Sequence, residues 1–189
     1  YDITEAVPAG WELADASCVD DQGAPVGTPV IQSNSITDVV IDPGADVTCT
    51  FVDQALGSVT VVKTTVGGDD TFGYTSSPLP SPGNFEITTE DGVGVFDLAQ
   101  NLTAGTYSIV EDSVPDGWSF EDAVCLDQND NVVSTPIPNG VTFTQAAGQT
   151  TTCEFTNLKL GEIVIEKATD PSPDPTDTDF TFDIDPALS

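Results

Sequence analysis

The feature that most constrains this chain is that it repeats itself. Residues 1–13, YDITEAVPAGWEL, return as YSIVEDSVPDGWSF at 107–120 with one insertion. Cys18 then corresponds to Cys125 and Cys49 to Cys153, and CTFVDQALGSVTVVKTT (49–65) returns as CEFTNLKLGEIVIEKAT (153–169). Phe72 and Tyr74 find counterparts in Phe180 and Phe182. The offsets lie between 104 and 108 residues, so one unit is about a hundred residues long. The 189 residues hold one complete unit, 57–158, preceded by the back of another, 1–56, and followed by the front of a third, 159–189. A unit cut in mid-repeat cannot bury its own core, so the chain is expected to be a window on a longer array. The alternative is that the two incomplete ends complement each other between neighbouring subunits by strand donation. In that case the equivalent of residues 82–106 is missing and an edge stays open.

Within a unit the segments read as strands, and no helix is expected. The candidates are 58–65, 71–76, 84–89, 93–98, 106–111, 117–125, 130–135, 141–145 and 150–156. Each is short, rich in β-branched or aromatic residues, and bounded by Gly, Pro, Asn or Asp. That spacing predicts an all-β sandwich. The loops PLPSPG (78–83) and DPSPDPTDTD (170–179) read as surface punctuation. The inter-unit joints fall at Gln54–Ser58 and Leu158–Glu162, short enough to give a stiff string of domains.

Charge limits the partners. Acidic residues number 32 against three lysines, with no arginine or histidine, for a formal charge of −29. Nothing here neutralises a phosphate backbone, and an anionic membrane surface is disfavoured for the same reason. Without histidine there is no imidazole general base, no Ser-His or Cys-His nucleophile and no His-ligated zinc. No enzyme, cofactor or metal is expected. The 38% of apolar residues suffices for a core, and no apolar run approaches a membrane-spanning length. The opening on Tyr1 without a charged-then-apolar leader reads as a processed or partial chain.

Four cysteines allow three connectivities, and the repeat makes Cys18–Cys49 and Cys125–Cys153 the economical pairing. Paired cysteines in an acidic, Thr-rich β chain indicate an oxidising, extracellular setting.

Two of the three lysines, Lys63 and Lys167, occupy the same position of the repeat. Side chains two apart on a strand share a face. Lys63 shares its face with Val59 and Val61, and Lys167 with Ile163 and Ile165, so the lysine is expected to point inward. The same alternation sets Glu111 beside Tyr107 and Ile109, Glu5 beside Tyr1 and Ile3, Asn157 beside Cys153 and Phe155, and Asp53 beside Cys49 and Phe51. Buried charges need partners, so Lys63, Glu111 and Asn157 are expected to meet. Burial lowers the pKa of an ammonium and leaves a nucleophilic amine.

These residues carry a family resemblance. A first-strand lysine, the string Y-x-[IV]-x-E followed by V-P-x-G-W, and F-x-N on the last strand resemble the collagen-adhesin B-type, prealbumin-like domains of bacterial surface proteins and pilins. The resemblance spans the complete unit and both partial ones. It implies tandem Ig-like or prealbumin-like β-sandwiches in a stalk or fibre outside the cell. It also implies an intramolecular isopeptide bond, with Lys63 as nucleophile, Asn157 as acceptor and Glu111 as proton carrier. Glu5, Asp53 and Lys167 are the equivalents in the partial units. The first unit departs from the pattern, with Asp53 where the second has Asn157, so a bond there requires loss of water. A disulfide already reaches the same last strand, and an uncrosslinked Lys–Glu–Asn cluster is the alternative.

The acidic turns DDQG (20–23) and DQNDN (127–131) offer oxygen ligands to calcium but lack EF-hand spacing, and read as solvated turns. Asn101-Leu-Thr103 is an N-glycosylation sequon in an expected loop, and Thr176 and Thr178 lie in a loop suited to O-linked sugars. Trp11 and Trp118 read as packing residues rather than a sugar platform. The expectation is a structural module of an extracellular stalk, adhesin or filament, with copies of itself or adjacent repeats as partners. The alternative is a module that binds extracellular carbohydrate or matrix.

Overall fold

The computed structural model describes residues 1–79, 83–170, 172, 176 and 179–183. Residues 1–55 form β1 (Ile3–Thr4), β2 (Trp11–Asp20), β3 (Thr28–Val30), β4 (Ser35–Thr37) and β5 (Val47–Ala55), with one 3-10 turn at Ile31–Ser33. Residues 57–159 form β6 (Gly57–Val66), β7 (Thr71–Ser77), β8 (Asn84–Thr88), β9 (Val93–Leu102), β10 (Gly105–Ser113), β11 (Trp118–Asp127), β12 (Ser134–Ile137), β13 (Gly140–Gln145) and β14 (Thr150–Lys159). The described residues after Lys159 form no strand.

Period-two alternation makes these strands. In β6, residues Gly57, Val59, Val61, Lys63 and Thr65 are buried while those between them are half-buried. In β14 the buried set is Thr151, Cys153, Phe155 and Asn157. Two such faces close a sandwich. One sheet has the order β12-β13-β10-β7-β8 and the other β11-β14-β6-β9. Between them lie Val59, Val61, Phe72, Tyr74, Ile109, Phe143 and Phe155, none more than 1% exposed. At roughly 1.5–3 kcal/mol per large apolar side chain, this burial is the main force holding the layers together.

The pairing is antiparallel except at one place, where β6 and β14 run parallel with Phe155 opposite Lys63 and Asn157 opposite Thr65. The first and last strands of the unit are therefore neighbours. β11 flanks β14 on its other side, with Cys125 directly opposite Cys153.

Residues 1–55 follow the same plan with fewer strands. Their sheets have the orders β1-β4-β3 and β2-β5, matching β10-β13-β12 and β11-β14 strand for strand. No described strand stands where β6 and β7 stand in the larger sandwich. The core there is small: Leu13, Ala16, Cys18, Ile36 and Val39. The joint between the two parts is tight. Only Leu56 separates β5 from β6, its N–H donates to Gly10 O at 2.8 Å, and Gly148 N–H donates to Ala55 O at 2.7 Å.

One predicted strand is displaced. The segment 130–135 is a turn followed by a single bridge from Val132 to Leu126, and β12 begins only at Ser134. Asp130 takes a left-handed backbone, φ 62°, which stops extension there. The sequon is also displaced: Asn101 is the exposed penultimate residue of the edge strand β9, because the strand continues until Leu102 is buried.

Candidate functional site

Three polar side chains enter the core from three strands. Lys63 comes from β6, Glu111 from β10 in the opposite sheet and Asn157 from β14, and each is 0% exposed. Each obeys the inward alternation of its strand, which brings residues distant in sequence to one point. Lys63 Nζ donates to Glu111 Oε2 at 2.9 Å and to Asn157 Oδ1 at 2.5 Å. Asn157 Nδ2 donates to Glu111 Oε1 at 2.7 Å. The three groups close a ring of direct hydrogen bonds.

The surroundings are apolar and aromatic. Lys63 Nζ lies 4.1 Å from the centre of the Phe72 ring and 5.9 Å from that of Tyr74. Burial lowers the Lys63 pKa, and pairing with Glu111 opposes this only in part. Burial likewise raises that of Glu111 against the pull of Lys63 and Asn157. Both shifts favour the neutral amine beside the neutral acid. In its neutral form the amine is a nucleophile, and its nitrogen sits against a carboxamide whose own nitrogen touches a proton carrier, Glu111.

The aromatic floor of the site was not anticipated from the sequence. The signal was present, because Phe72 and Lys63 both have sequence counterparts after β14, Phe180 and Lys167. Tyr74 is the second ring of that floor. Its hydroxyl is buried without a hydrogen-bond partner, and burial and then the Glu111 charge push its pKa upward.

The remaining candidates fall elsewhere. Glu5 and Asp53 face each other in residues 1–55, with Glu5 Oε2 and Asp53 Oδ1 buried and unpartnered. Burial first, and then Asp53, raise the Glu5 pKa. Lys167 lies in the exposed segment after β14, with Nζ 3.9 Å from the Phe180 ring centre. The structure carries both disulfides, Cys18–Cys49 and Cys125–Cys153, between directly opposed residues of paired strands. At sequence separations of 31 and 28, each contributes about 3–4 kcal/mol on the chain-entropy account.

The acidic turns use their carboxylates internally. Asp20 Oδ1 accepts from Gln22 N–H and Ala24 N–H, and Asp127 Oδ1 from Asn129 N–H and Asn131 N–H. These bonds draw the Asp127 pKa down, the Asn131 side chain contributing most. Trp118 is buried and donates Nε1–H to Asp70 Oδ2 at 3.0 Å, whereas Trp11 is 48% exposed. Thr178 lies outside the described residues, and Thr176 lies in a turn.

No curated protein matches the sequence. Among solved structures, the chain is similar to the major pilin of Streptococcus pyogenes at 14% identity and a TM-score of 0.38, covering 85% of this chain and 69% of the pilin. A single-site mutant of that pilin matches with the same identity and coverage and a TM-score of 0.41. The pilus adhesin SpaC of Lactobacillus rhamnosus GG, in its open conformation, matches at 19% identity and a TM-score of 0.35, covering 85% of this chain and 24% of the adhesin. The prealbumin-like fold domain family matches over residues 1–55 and again over 59–159. With two facing sheets, inward-pointing alternation on both and a sequence match over most of its length, the chain belongs to the prealbumin-like fold domain family.

Proposed function

We propose that this chain is a structural module of an extracellular stalk or filament, in which residues 57–158 are stapled by an amide bond between Lys63 and Asn157. The observation that carries the reading is the fully buried, three-membered ring of Lys63, Glu111 and Asn157, which spans the first and last strands of the unit. The step balances without any added reagent. The Lys63 amine attacks Asn157 Cγ, a new C–N bond forms, the Cγ–Nδ2 bond breaks, and ammonia leaves. Glu111, neutral at the start, gives its proton to the departing Nδ2 and takes up the one released by the attacking amine. The reaction happens once per molecule and has no turnover.

The link would close a loop between positions 94 apart in sequence. On the chain-entropy account, that stabilises the fold by about 4–5 kcal/mol, comparable to a long-range disulfide. It also joins the strand where the chain enters the unit to the strand where it leaves, so tension along a filament bypasses the core. The extracellular setting rests on the two disulfides and on the acidic coat, which keeps neighbouring filaments apart. Intact-mass measurement on the denatured, reduced chain tests the bond. The expected mass is about 17 Da below that of the open sequence, with the difference absent in Glu111→Gln. Full mass in the unmodified chain would overturn the reading.

A further inference from the structure

Glu111 and the residue after it look to opposite sides of their sheet. Glu111 turns inward to the buried ring, while Asp112 is the extra residue of a β-bulge, since Glu111 pairs with Tyr74 and Ser113 with Gly73. A bulge re-aims the side chain that it carries. Asp112 is exposed on the outer face, where Thr75 Oγ1 donates to its Oδ2. Beside it the outer face lacks a side chain, because Gly73 sits between Ser113 on β10 and Glu86 on β8. A Cβ at Gly73 would lie 2.8 Å from Ser113 Cβ, 3.7 Å from Ser113 Oγ and 3.8 Å from Asp112 Oδ1, so glycine keeps the place open.

The result is a cavity of about 380 Å³ at Gly73, lined by the side chains of Asn84, Glu86, Asp112 and Ser113. That volume is in the range of small-molecule sites. The floor is stiff. Tyr74 and Phe85, the residues next to Gly73 and Glu86 in sequence, turn their rings into the core and stack at 5.1 Å. The rim mixes two kinds of group. The carboxylates of Asp112 and Glu86 only accept hydrogen bonds, whereas the Ser113 hydroxyl and the Asn84 carboxamide donate as well as accept. A ligand rich in hydroxyls, which also do both, matches that mixture, while a simple cation leaves the donors of Ser113 and Asn84 unused. Two carboxylates with no lysine among the lining residues repel an anionic ligand.

We propose that this notch on the outer face of β7, β8 and β10 binds one pyranose residue of a neutral or amino-bearing glycan. The C–H face of the sugar ring rests on the bare backbone of Gly73, where any side chain would displace it. Sugar hydroxyls donate to Asp112 Oδ1 and to the Glu86 carboxylate, and such charge-assisted bonds are the strong ones. Ser113 and Asn84 answer the remaining hydroxyls as donor or acceptor. The Asp112 carboxylate is held in place beforehand by Thr75, and the strands beneath are fixed by the packed rings of Tyr74 and Phe85. Binding here is independent of any covalent bond between Lys63 and Asn157, because the two places lie on opposite faces of β10 and share no side chain.

Following the backbone amides of the isotope-labelled full chain by NMR during titration with sugars tests this. A single sugar residue has few atoms, so a millimolar dissociation constant is expected, and glucose, galactose, mannose, N-acetylglucosamine and glucosamine are each carried to about 50 mM. With at least one of them, saturating shifts are expected, centred on the amides of Gly73, Glu86, Asp112 and Ser113. Glucuronate at the same concentration should bind more weakly than that sugar. Glu86→Gln removes an exposed carboxylate without touching the core, and should weaken binding about tenfold or more. Gly73→Ala fills the notch and should abolish binding, with the amide spectrum reporting whether the sheet tolerates the crowding at Ser113. The proposal is overturned by the absence of shifts with all five sugars, by shifts centred elsewhere, or by binding that survives Glu86→Gln undiminished.

Discussion

Lys63 is the partner of Glu111 from the facing sheet, and removing it leaves that carboxyl with Asn157 alone. In Lys63→Met the carboxyl keeps Asn157 as a donor but loses the lysine nitrogen, while burial still drives its pKa above 4.5. The folded state then holds a proton that the unfolded state releases, so stability is highest below about pH 4.5 and falls as pH rises through the folded pKa. Thermal unfolding of this variant at about pH 4 and about pH 7.5 should give the lower midpoint at the higher pH. An uncompensated buried charge costs on the order of 3–5 kcal/mol, so the difference should exceed that of the unmodified chain. Equal midpoints would mean that Glu111 is not shielded from water. The alternation that points Lys63, Glu111 and Asn157 inward is local and can be read from each strand. The Phe72 ring beneath the ammonium and the orphaned Tyr74 hydroxyl depend on how two sheets stack, which no single strand encodes.

At the scale of elements, Gly57 shows how closely the parts approach. A Cβ at this position would lie 2.1 Å from Gln145 Nε2 and 2.4 Å from Gln149 O. Gln149 O also receives Ser58 N–H at 3.0 Å, so the backbone there cannot retreat without losing a ladder bond. Gly57→Ala should therefore lower the urea midpoint of unfolding, at a cost of about 1–3 kcal/mol. A midpoint unchanged from that of the parent chain would show that Gln145 moves aside freely. Strand positions followed from β-branched runs bounded by turn residues, with β12 the exception. There, Val132 and Val133 look like strand residues, but the left-handed Asp130 and the Asp127 carboxylate hold the chain in a turn. Sheet order is another matter. The parallel placement of β6 beside β14 unites segments at opposite ends of the unit, and it leaves no mark in the local pattern of either.

Over the whole molecule, the internal similarity was the part most plainly written in the sequence, since similar strings at matched spacing survive whatever the chain does between them. The cationic charge is distributed in a way that composition alone hides. Lys63 lies at the centre of β6, between β14 and β9, and is 0% exposed. Lys159 closes β14 at its end, with Nζ 5.6 Å from the Trp118 ring centre, and Lys167 lies in the exposed segment beyond. A protease that cuts only after lysine or arginine thus finds its accessible bonds confined to the last stretch of the chain. Limited trypsin digestion should trim the C-terminal segment and leave a persistent product ending at Lys159 or Lys167. Early cleavage at Lys63 would contradict its burial. Because the folded strands offer such an enzyme almost nothing to recognise, their survival in a tryptic environment follows from where three lysines sit, even without an unusually high unfolding free energy.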